Sequence, residues 1–84
     1  MNTEHYLISV VYRGKSWQLP VEIAHDSILL RIRVNIEGLE VCFARDGHNG
    51  LRPLNHQDDF EPELLYLIGK AIQQQRPVQY TGIA

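Results

Sequence analysis

Four histidines, His5, His25, His48 and His56, are the side chains best suited to titrate near neutrality. Two of them sit among carboxylates in turn-rich stretches, His48 with Asp46 and His56 with Asp58. Together these four would offer the imidazole and carboxylate donors of a metal or small-ligand site. Their spacing matches no defined ligand motif, and such pairs recur by chance in polar loops, so solvated loop residues are the plainer reading. No metal or cofactor is expected. Cys42 is the single cysteine. A neighbouring guanidinium from Arg33 would favour its thiolate, but a nucleophile also needs a general base and an oxyanion site, and no histidine is expected near it. The acidic run Asp58, Asp59, Glu61 and Glu63 has the look of paired catalytic carboxylates. Favourable interaction with a helix N-terminus explains those charges without chemistry. The chain also lacks a glycine-rich phosphate loop, a nucleophile elbow and zinc-type Cys/His spacing. The expectation is therefore a protein that is not an enzyme.

Those residues must be positioned by a small set of elements. A chain of 84 residues makes one domain, in the size range where a single core is marginal and a partner subunit helps. With 44% hydrophobic and 21% charged residues it is an ordinary globular composition. The net charge of −2 excludes the basic footprint of a nucleic-acid or anionic-membrane binder. No apolar run reaches membrane-spanning length, the first residues carry no leader pattern, and one cysteine agrees with a reducing compartment. A cytoplasmic location is the expectation.

The clearest local pattern lies at 28–43. Leu30, Ile32, Val34 and Ile36 alternate with Arg31, Arg33 and Asn35; after Glu37 and Gly38, Leu39, Val41 and Phe43 alternate with Glu40, Cys42 and Ala44. Two earlier runs repeat the theme at 5–12 and 17–24. Taking Gly14 and Lys15, Asp26 and Ser27, and Glu37 and Gly38 as two-residue loops, all three reversals sort apolar from polar in the same sense. Tyr12 then faces Trp17, Val21 faces Ile32, and Ile32 faces Phe43. The sequence predicts an α+β fold: an antiparallel β-meander of strands near 5–12, 17–24, 28–36 and 39–45, a short fifth strand at 51–54, and one C-terminal helix at 60–75 packed across one face. The tail 76–84 is expected to be extended.

Within that frame, Phe60, Leu64, Leu67, Ile68, Ala71 and Ile72 form the helical stripe that covers the sheet. Asp58 or Asp59 is the expected cap, with Pro62 in the first turn. Gly69 costs the helix about 1 kcal/mol relative to alanine and so implies a close approach to the sheet. Pro20 conflicts with an interior strand, and a bulge or sharp twist is expected near it, unless the first strand stops short of its level.

The outer face combines Arg31 opposite Glu22, and Arg33 near Glu22 and Glu40, with an unusually apolar remainder. Leu7, Val11, Leu29, Arg31, Arg33 and Cys42 are the candidate interaction surface. The first strand is also an edge with no proline, lysine or inward charge to protect it. The preferred reading is a non-catalytic protein-interaction or homodimerisation module that uses the open sheet face or this edge. The alternative is a small ligand- or metal-binding domain, or a minor enzyme, with its site around Asp46, His48, His56 and Asp58. Single-stranded nucleic-acid binding through Arg31 and Arg33 ranks last, because the aromatic residues it would need are assigned inward.

Overall fold

The backbone reverses at two dipeptides whose residues both lie at positive φ: Arg13 (53°) with Gly14 (75°), and Glu37 (53°) with Gly38 (88°). This is the type I′ geometry that matches the right-handed twist of hairpin strands, and glycine adopts it without a Cβ clash. In the computed structural model, which describes residues 2–26, 29–45 and 50–75, these turns link strands of a meander. The elements are β1 (Asn2–Tyr12), β2 (Lys15–Asp26), β3 (Leu29–Ile36), β4 (Leu39–Arg45), β5 (Leu51–Pro53) and α1 (Pro62–Gln75). The strands form one antiparallel sheet in the order β1-β2-β3-β4-β5. The α+β meander anticipated from alternation is the fold.

Parity survives everywhere, but register differs at two of the three reversals. Glu37 and Gly38 make the third turn as anticipated, setting Ile32 against Phe43 and Val34 against Val41. The first turn uses Arg13 and Gly14 instead of Gly14 and Lys15, so Tyr12 pairs with Lys15 and Val10 with Trp17. Glycine thus takes the second turn position. In the second hairpin Asp26 pairs with Leu29, Ile23 with Ile32 and Val21 with Val34. Each change shifts the pairing by two residues, which leaves every side chain on its face.

Pro20 fits both shifts. Tyr12 and Lys15 flank a two-residue turn and so exchange both backbone hydrogen bonds, and from there odd-numbered β2 residues bond to β1 while even-numbered ones face β3. With the anticipated turns Arg13 would have bonded to Ser16 and even-numbered β2 residues to β1, setting Pro20 opposite Ser9 in mid-ladder with no N–H to give. In the observed register the β2–β3 pairing ends at Val21 and Val34, one residue short of Pro20. The expected bulge is absent from the β1–β2 ladder, which runs straight through Leu7 and Pro20.

The inner face supplies Ile8, Val10, Leu19, Val21, Ile23, Ile32, Val34, Ile36, Val41, Phe43 and Leu51, all buried. Helix α1 adds Leu64, Leu65, Ile68 and Ile72. Four such side chains contribute about 6–12 kcal/mol of gross burial. Leu65 was absent from the anticipated stripe, while Leu67, Ala71 and Phe60 are only partly buried against the core. The helix packs closest to the two edge strands, β1 and β5, so its apolar arc must be wider than one narrow stripe. At Gly69 an added Cβ would lie 3.0 Å from the Leu51 carbonyl oxygen and 3.3 Å from Leu51 Cβ. The anticipated close approach is real, and β5 makes it.

The helix begins at Pro62, two residues later than expected, and its first N–H donor, Leu65, reaches the Glu61 carbonyl at 3.1 Å. Neither Asp58 nor Asp59 occupies the capping position. The Asp59 carboxylate instead lies 2.7 Å from His56 Nδ1.

Candidate interaction surfaces

The two edges of this sheet are built differently. Along β4, even-numbered residues turn their backbone groups away from β3, and the chain beyond β5 satisfies them in turn. Leu54 donates its N–H to the Cys42 carbonyl at 2.7 Å. The Asn55 carboxamide does the rest: Oδ1 accepts the Cys42 N–H at 2.8 Å, and Nδ2 donates to the Glu40 carbonyl at 3.2 Å. Asn55 thereby acts as one more strand residue without extending the strand. The edge itself, β5, is three residues long and ends in Pro53. Short length and proline are standard protections against further pairing.

At the opposite edge stands β1, eleven residues with neither proline nor lysine. Its even-numbered residues bond to β2, so Thr3, His5, Leu7, Ser9 and Val11 direct their N–H and C=O groups outward. Among the described residues no strand lies beyond it. Leu7 is 58% exposed and Val11 69% exposed, and both stand on the outer face beside this edge.

Of the other anticipated surface residues, Arg31 is exposed and pairs with Ala24, not with Glu22. The two-residue shift moves Glu22 opposite Arg33 instead. Arg33 is half-buried and lies 3.4 Å from Glu22 and 3.0 Å from Glu40. Its fork is committed to two carboxylates. Cys42 sits directly across from Arg33, half-buried as anticipated. Of Leu29 only the backbone is described, paired with Asp26. A cleft of about 370 Å³ opens on this face, lined among others by His5, Pro20, Glu22, Arg33, Asn35 and Glu40. It lies where Pro20 ends the β2–β3 ladder, and its charges are already paired.

The loop constellation comes together only in part. Asp46 and His48 lie outside the described residues, as does the tail 76–84. His56 has a positive φ of 53° and pairs with Asp59, while Asp58 is exposed. Among the described residues no three His, Cys, Asp or Glu side chains gather as metal ligands. Nor is any described helix long and apolar enough to cross a membrane.

Several side-chain contacts escaped sequence reasoning. Glu61 receives the Tyr12 hydroxyl and lies 2.9 Å from Arg13, tying the start of α1 to the first turn. That hydrogen bond to a carboxylate raises the Tyr12 pKa above its ordinary value. Glu4 links the Tyr6 hydroxyl to His25. Lys15 stands over the Trp17 ring at 4.1 Å. Glu61 is 49 residues from Tyr12 and His25 is 21 from Glu4, and no periodicity announces such contacts. No family model, known protein or solved structure matches the chain.

Proposed function

We propose that this protein is a non-catalytic interaction module whose binding element is the open edge of β1, and that it associates edge to edge with a second copy of itself. The observation that carries this reading is the asymmetry between the edges: one is shortened, ended by proline and closed by Asn55, and the other is long, with no strand beyond it among the described residues. An exposed edge is a ready template for another strand, and main-chain hydrogen bonds supply affinity in such pairings. Leu7 and Val11 add apolar contact beside it.

Ser9→Pro tests the reading. Ser9 presents its N–H to the edge, so proline there removes an outward donor and leaves the β1–β2 ladder untouched. Sedimentation across the micromolar range should give a dimer for the parent chain and a monomer for S9P, with the same circular dichroism spectrum. A parent chain that stays monomeric, or an S9P protein that dimerises undiminished, overturns it.

A further inference from the structure

We infer that the two copies meet in antiparallel register about a two-fold axis through Ser9, an inference that rests on the edge association proposed above. The outward-directed residues of β1 are Thr3, His5, Leu7, Ser9 and Val11, and the two large apolar ones flank Ser9 symmetrically. An axis at Ser9 sets Leu7 of each copy against Val11 of the other, twice, so both exposed side chains are covered by apolar partners. On the inner face it sets Ile8 against Val10 and Tyr6 against Tyr12.

The competing axis, through Leu7, overlaps more of the strand but sets Val11 against Thr3 and Glu4 against Val10, placing polar groups on apolar ones on both faces. Charge agrees with the Ser9 axis. No outward side chain between Thr3 and Val11 carries a fixed charge. At the end of the overlap Arg13 arrives with Glu61 at 2.9 Å, and so meets His5 of the second copy as a neutral pair.

Single cysteines in a Cys42→Ser background read the register. Outward residues facing each other across the axis are hydrogen-bonded pairs with Cα atoms about 5.5 Å apart, within the usual span of a disulfide. With the axis at Ser9, residue 7 of one copy lies roughly 14 Å from residue 7 of the other, four residues at about 3.4 Å each. Under mild oxidation Ser9→Cys should become almost wholly disulfide-linked. Leu7→Cys and Val11→Cys should each stay unlinked alone and cross-link when mixed. Gln18→Cys, exposed on β2 opposite Ser9, measures random collision and should lag far behind.

A dimer by sedimentation in which Leu7→Cys links to itself, or Ser9→Cys links no faster than Gln18→Cys, overturns the register and leaves the edge association standing. A parent chain that sediments as a monomer removes both.

Discussion

The β5 side and the β1 side of this sheet answer the same physical problem in opposite ways. Both edges carry backbone groups that need partners. On the β5 side the chain spends its loop on them, with Leu54 and Asn55 reaching back to Cys42 and Glu40. On the β1 side eleven residues run to the rim with two exposed hydrophobic side chains and no strand beyond them among those described. The difference teaches that edge protection is a local property, built strand by strand.

The largest expected effect comes from breaking the closed side. Gly69→Val would push a side chain into the Leu51 carbonyl and Cβ, and overpacking of this kind costs about 1–3 kcal/mol. Urea unfolding should show the loss, and a variant melting with the parent chain would mean that α1 does not clamp β5. Next is Asn55→Ala, which deprives the Cys42 N–H and the Glu40 carbonyl of their partner. A loss of about 1 kcal/mol is expected, together with new concentration-dependent scattering as a second edge opens. Asn55→Asp keeps the acceptor for Cys42 and loses the donor to Glu40, so it should fall between the parent chain and Asn55→Ala.

The open side should behave in the reverse manner. Replacing Leu7 and Val11 together by lysine should alter stability by no more than about 0.5 kcal/mol, because both are exposed, and should abolish association by sedimentation. A large drop in stability with association intact would erase the contrast between the edges. The smallest effect concerns the end of β1 that is tied down. The Tyr12 hydroxyl donates to Glu61, which raises its folded pKa above the ordinary value of 10.0. A raised folded pKa means the contact stabilises below that ordinary value and is lost as pH rises through the higher folded one. In spectrophotometric titration Tyr12 should ionise late, and Tyr12→Phe should diminish the late component.

Much of this was legible in advance, and the residues explain why. Alternation through Val21, Ile32, Val34 and Phe43 assigned each to the inner face, and all are buried. Gly69, out of place in a helix, pointed to a close contact, which Leu51 provides. Leu7 and Val11 were placed on the outer face by parity alone and are exposed there. The pairing of Arg33 with Glu22 was assigned to Arg31 instead, because two registers that differ by two residues bury the same set and hydrophobicity does not choose between them. The role of Asn55 was not legible, since a carboxamide that substitutes for a strand residue has no periodic signature.

By itself the sequence determined the facing of β1 to β4, because side-chain direction in a strand depends only on odd or even position. It determined the helix for the same kind of reason, a local repeat that needs no distant partner. Tertiary structure decided which residue sits across from which, where Pro20 leaves the ladder, and that Leu54 and Asn55 seal the β5 side. Those outcomes depend on hydrogen bonds between groups far apart in the chain, whose satisfaction is settled only once the sheet has been assembled.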